Sequence, residues 1–136
     1  MDLKQVNDFN KDTLMAHLGI EITEVTDNTV SAKMPVDKRT HQPMGLLHGG
    51  ASAALIESLG SIGSALSVDL TKQFIVGVEI NTNHVRGVKS GFVFGKATCI
   101  HKGRTTHIWS ADILNKEGKL VATGRLTVLV KELDVE

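Results

Sequence analysis

Between Arg39 and Asp69 the chain carries a single formally charged residue, Glu57, among Ala, Gly, Ser, Leu and Ile. From Gly50 onward, Ala51, Ala54, Leu55, Ser58, Leu59, Ile62 and Leu66 recur at the spacing of one helical face. The opposite face is small (Ala53, Gly60, Gly63, Ser64) rather than rich in Lys and Glu. A helix that is apolar or tiny all round is expected to be buried. Burying a carboxylate is costly unless it is paired or neutralised, and the helical neighbours Ala53, Ala54, Gly60 and Ser61 offer no cation. Glu57 is therefore either a partly exposed helical Glu or a carboxylate held for function, since perturbed carboxylates concentrate at functional sites. A membrane span is the other reading of so uncharged a run. Glu57, His48 and the many Gly and Ser residues make it too polar for one.

The 136 residues fit one domain, 1–136, with a core of useful size and a short helical segment over 1–18. Fifteen basic residues balance fifteen acidic ones, which argues against nucleic acid as a partner. Cys99 is alone in the chain and reads as a small buried hydrophobe, so no intramolecular disulfide is expected. The six His residues (17, 41, 48, 84, 101, 107) have no zinc-like ligand spacing and no metal is expected. Met1–Leu3 leads into polar residues with no visible signal peptide, which points to the cytoplasm.

In chain order, Leu14, Met15 and Leu18 share one face of a short helix within Val6–Leu18, and Gly19 suits its stop. Ile20, Ile22 and Glu24 begin a strand, Asp27-Asn28 reads as a hairpin turn, and Val30, Ala32 and Met34 alternate in the return, which Pro35 should end. Beyond the long helix, Phe74, Val76, Val78 and Ile80 alternate. Phe92, Phe94, Lys96, Thr98 and Ile100 mark the next strand. Thr106, Ile108, Ser110 and Asp112 oppose His107, Trp109, Ala111 and Ile113 in the one after, and Leu120–Val130 is the last. A helix apolar on all sides needs cover, and one antiparallel sheet curled around it supplies that cover in an α+β fold.

The order of elements, together with Gln42-Pro-Met-Gly-Leu-Leu-His48-Gly49-Gly50-Ala51, Glu57-Ser-Leu-Gly-Ser61 and Asn83-His84-Val85-Arg86, resembles the hotdog-fold acyl-CoA thioesterases. Within them it looks most like the 4-hydroxybenzoyl-CoA and phenylacetate-pathway type, and among those the 1,4-dihydroxy-2-naphthoyl-CoA hydrolases. The resemblance runs from about Leu18 to Val130. It implies a hotdog fold, a long central helix wrapped by about six antiparallel strands. It implies that Glu57 is the nucleophile or general base, that Gly49 offers its backbone N–H to the thioester carbonyl, and that Gln42 orients the thioester. His48 would support the loop, and Ser61 would hold water or the carboxylate. A helix start suits the Gly49 role physically, because its N–H groups are unpaired and its dipole favours negative charge. By the same resemblance, Gly77, His84, Val85, Arg86 and Gly87 and the turn His101, Lys102, Gly103, Arg104, Thr105 and Thr106 would hold coenzyme A. The expected activity is hydrolysis of an aromatic or medium-chain acyl-CoA, with the CoA thioester as substrate and no cofactor; a place in menaquinone biosynthesis is one implied setting. The alternatives are a hotdog hydratase or dehydratase, and a non-enzymatic acyl-CoA sensor.

Gly49 and Glu57 are eight residues apart, about 12 Å along a helix, so one carbonyl cannot reach both on the same chain. Two copies with antiparallel helices would bring the start of one beside the middle of the other. The expected partner is therefore a second copy, in a homodimer with shared sites. Hotdog thioesterases often pair such dimers into tetramers.

Overall fold

The computed structural model describes residues 1–134. Two short helices, α1 (Leu3–Phe9) and α2 (Leu14–His17), precede the hairpin of β1 (Glu21–Val25) and β2 (Thr29–Val36). The long helix α3 (Gly49–Ala65) follows, then β3 (Gln73–His84), β4 (Gly91–Lys102), β5 (Thr106–Leu114) and β6 (Leu120–Glu132). The strands make one open antiparallel sheet in the order β1-β2-β4-β5-β6-β3, with α3 on its inner face. This is the hotdog fold that the motifs implied.

The inner face is built as alternation predicts. Val30, Ala32 and Met34 of β2, Val93 and Ala97 of β4, Trp109, Ala111 and Ile113 of β5, and Leu126 and Val128 of β6 are all buried. Leu55, Ile56 and Leu59 of α3 close the core against them. Close approach is possible because glycines face bulky groups: a Cβ on Gly63 would lie 2.2 Å from Trp109 Cη2, and one on Gly95 2.9 Å from Leu59 Cδ1.

Four expectations change. The N-terminal segment forms two helices rather than one, broken at residues 10–13, where Asp12 takes φ 59°. Pro35 does not end β2, which runs on to Val36: β1 reaches only to Lys33, so beyond it the missing N–H breaks no ladder on that side. The alternation of Phe74, Val76 and Val78 marks β3 correctly but lies on its outer, exposed face. Ile75 and Gly77 are the less exposed residues there, and a bulge between Gly77 and Glu79 then returns Ile80 to the inside. Finally, α3 is not buried all round. Ala51, Ser52, Leu55, Ile56, Leu59, Gly60, Gly63 and Ser64 are covered, whereas Ala53, Ala54, Glu57, Ser58, Ser61 and Ile62 are half-buried, because one open sheet covers one side.

A buried polar cluster ties the end of α3 to the sheet. Trp109 Nε1 donates to Ser64 Oγ at 2.8 Å, and Ser64 Oγ also pairs with His107 Nδ1 at 2.8 Å. Burial, with the Lys102 charge as a lesser cause, holds the His107 imidazole below its ordinary value of 6.5. The unfolded chain therefore binds this proton at higher pH than the folded one. Stability from this source is complete above about pH 6.5 and declines as pH falls towards the folded value. Urea midpoints measured between about pH 5 and 7.5 should show that slope, and His107→Gln should flatten it.

Candidate active site

The start of α3 is fixed by a tightly bonded loop. Gln42 N–H donates to Leu46 O at 2.8 Å, Gly45 N–H to Gln42 O at 2.9 Å, and Leu47 N–H to Val88 O at 2.8 Å. Gly45 sits at φ 78°, a turn conformation that glycine adopts freely. The Gln42 side chain is held too, its Oε1 accepting from Met44 N–H. His48 is the N-cap: its N–H donates to Thr40 O at 2.7 Å, and its Nδ1 accepts from Gly50 N–H at 2.7 Å. With Gly50, Ala51 and Ser52 N–H all bonded to His48, the Gly49 N–H is left with no partner among the described residues.

That amide borders a cleft of about 370 Å³, whose walls include Gln42, Gly49, Ser52, His84, Val85, Arg86 and Gly87. Gly49 lets the His84 ring sit against the helix start, since a Cβ there would lie 2.8 Å from His84 Nε2 and would push the ring aside. Arg86 is partly committed, with Nη1 donating to Leu120 O at 2.7 Å. The cleft thus unites Gln42 and Gly49 with His84, Val85, Arg86 and Gly87 of the first group of expected coenzyme A residues, while Gly77 of that group lies apart from it, beside Glu57. His48 turns the other way, into a shallow pocket with Leu18, Arg39 and Ala54.

Glu57 lies elsewhere. It lines a separate cavity of about 330 Å³ with Ser61, whose walls are otherwise mostly apolar: Val6, Phe9, Met15, Ile62, Leu66, Leu70 and Ile75. Gly77 flanks the carboxylate, for a Cβ there would be 3.0 Å from Glu57 Oε1. Among the described residues Glu57 forms no ion pair, and no hydrogen bond joins it to Ser61. The helix expected to be buried all round thus leaves Glu57 half-buried beside an apolar cavity.

The turn after β4 does not reach the cleft of its own chain. Thr106 pairs with Leu129, and Leu129 with Val76, so the turn lies at the sheet end where β3 begins, whereas His84 ends β3. Within the turn, Gly103 N–H donates to Thr106 O at 2.9 Å and Thr105 O accepts from Val130 N–H at 2.9 Å. Lys102 Nζ donates to Asp27 O at 2.9 Å, while His101 and Arg104 are exposed, and Arg104 has no ion pair among the described residues. One chain therefore does not assemble the two cationic groups into one binding site.

Two features were missed in the sequence. The N-terminal helices wall the Glu57 cavity, which nothing in their spacing indicates. Ser52 lines the cleft, and its place three residues after Gly49 was the available signal.

The sequence model of the thioesterase superfamily matches residues 44–122, a span holding the start of α3, Glu57 and His84–Gly87. The chain belongs to the thioesterase superfamily. This thioesterase is 45% identical over 130 residues to the proofreading thioesterase EntH of Cronobacter turicensis, covering 96% of this chain and 94% of the relative. It also matches the structure of a variant of thioesterase PA1618 from Pseudomonas aeruginosa with TM-score 0.95 and 47% identity, covering 98% and 96% of the two chains. The thioesterase SAV0944 of Staphylococcus aureus matches with TM-score 0.85 and 40% identity over 87% of this chain and 98% of the other. Its structures were solved with alanine replacing a glutamine in one case and a glutamate fifteen residues later in another. The activity class is thioester hydrolysis.

Proposed function

We propose that the protein hydrolyses an acyl-CoA to the free acid and coenzyme A, at sites shared between two subunits. Each site joins Gln42, His48 and Gly49 of one chain to Glu57 and Ser61 of its partner. The observation that carries this reading is the separation within one chain: the unpartnered Gly49 N–H opens on one cavity and Glu57 on another. Gln42 and Glu57 are also fifteen residues apart, the spacing of the two replaced residues in the Staphylococcus aureus relative. An antiparallel pair of α3 helices would merge the halves. The same pairing would set the 101–106 turn of one chain nearer the Arg86 cleft of the other, where both groups would hold coenzyme A phosphates.

In this site the thioester oxygen accepts from Gly49 N–H. Glu57 either attacks the carbonyl carbon, giving an anhydride that water then cleaves, or takes a proton from the water that attacks. Both routes place negative charge on the carbonyl oxygen, where a helix start is favourable, and both break the C–S bond to release the thiolate. The apolar cavity beside Glu57 suits an aromatic acyl group, of the hydroxybenzoyl or 1,4-dihydroxy-2-naphthoyl kind, or a medium chain.

The edge strand β3, exposing Phe74, Val76 and Val78, supports pairing with a second copy; Phe92, Phe94 and Ile100 on the outer face of the sheet support further pairing into a tetramer. Among the described residues no helix is long and apolar enough to cross a membrane, and we place the protein in the cytoplasm. A panel of aryl- and alkyl-CoAs with thiol detection tests the activity. Thiol release from at least one panel member is expected, and a purified dimer that releases none would refute the reading.

A further inference from the structure

The α3 helix carries four serines, at 52, 58, 61 and 64. Ser58 returns its hydroxyl to Ala54 O at 2.7 Å, and Ser64 is engaged by Trp109 and His107. Ser61 is half-buried beside Glu57. Ser52 is different: it is only 1% exposed, its hydroxyl has no partner among the described residues, and it lines the cleft of Gly49. Among the described residues the sealed, unpaired side-chain atoms are Asn10 Nδ2 and Thr82 Oγ1 and not Ser52 Oγ, so this hydroxyl opens on the cleft that it lines. The carbonyl that a helical serine would use, His48 O, already accepts from Ala51 and Ser52 N–H at 3.0 and 3.3 Å.

Helix geometry says what the hydroxyl faces. Side chains lean towards the helix start, so that of Ser52 lies over the residue three positions earlier, Gly49, about 4.5 Å along the axis. The His84 ring fills the place that a Gly49 side chain would take and so walls the cleft beside both residues. Two unclaimed donors, the Gly49 N–H and the Ser52 O–H, therefore border one cleft at the positive end of a helix.

We propose that Ser52 is a second hydrogen-bond donor to the thioester carbonyl oxygen, an inference that rests on the acyl-CoA thioesterase reading above. When the carbonyl carbon is attacked, the C=O π electrons move to oxygen, and both donors hold that charge without giving up a proton. Collapse re-forms C=O and expels coenzyme A as the thiolate.

The test uses the full chain and the panel acyl-CoA that it hydrolyses fastest. Ser52→Ala should lower kcat by about ten- to a hundredfold while KM stays within about twofold, the pattern of a contact strongest in the transition state. Ser52→Cys, of similar size with a weaker donor, should fall between Ala and wild type. Carbon-13 labelling of the thioester carbonyl supplies a reading that altered packing would not give. In Glu57→Gln protein, which holds the ester uncleaved, the bound C=O infrared band should lie below its position in solution. Adding Ser52→Ala should move it back towards the free value. The melting temperature of Ser52→Ala should lie close to that of wild type, since the hydroxyl removed has no partner within the chain. An unmoved band, unchanged kcat, or an unfolded Ser52→Ala chain would each overturn the assignment. Wild-type protein inactive on the whole panel would instead remove the thioesterase reading itself.

Discussion

Glu57→Gln is expected to lower thioester turnover by about a hundred- to ten-thousandfold, the range lost with a group that moves protons or attacks in the transition state. The substitution keeps the length and hydrogen-bonding capacity of the side chain but removes its charge and basicity. Glu57 is half-buried, has no cationic partner among the described residues, and faces a mostly apolar cavity with Gly77 at its side. The fold should consequently survive: no ion pair is broken and no core volume changes. Circular dichroism and the urea midpoint should match wild type while acyl-CoA hydrolysis is lost. A folded Glu57→Gln enzyme keeping most of its turnover would return Glu57 to an ordinary surface role.

The largest loss of stability is expected at Trp109→Ala. Trp109 is fully buried, and its ring fills the space above Gly60 and Gly63, where added Cβ atoms would approach to 3.2 Å and 2.2 Å. Removing it opens a cavity that two glycines on a rigid helix cannot close, and truncations of this kind cost about 3–5 kcal/mol. It also takes the Nε1 donor from Ser64, loosening the cluster that His107 completes. The urea midpoint should fall accordingly, and with marginal native stability much of the variant should be unfolded near body temperature. A midpoint close to that of wild type would show that the α3–β5 contact contributes little to the fold.

Local periodicity made much of this fold readable. The uncharged run around Glu57 gave the central helix, and alternation gave all six strands, because both patterns record neighbours a few residues away. Faces were harder. The bulge at Gly77 and Glu79 moves Ile80 inside while Phe74, Val76 and Val78 remain outside, and no pattern of apolar residues on β3 alone encodes that shift. The covered and half-covered sides of α3 could not be distinguished because both are made of small or apolar residues; only the openness of the sheet decides between them. Ser52 passed as one more small residue, since an unpaired hydroxyl becomes visible only once every possible partner has a position. The 12 Å between Gly49 and Glu57, by contrast, follows from helical rise alone. The proposal of a second copy therefore needs only the sequence for its first step, and the two separate cavities support it.

Subunit complementation tests that shared site most directly. Gln42→Ala and Glu57→Ala chains, each inactive alone, are unfolded together and refolded as a mixture. In a mixed dimer one site carries both substitutions and the other carries neither. With random pairing, activity should return to about a quarter of the wild-type value, half of the dimers being mixed with one intact site of two. If mass spectrometry shows mixed dimers and the mixture stays inactive, each site lies within a single chain, and the shared-site account is wrong.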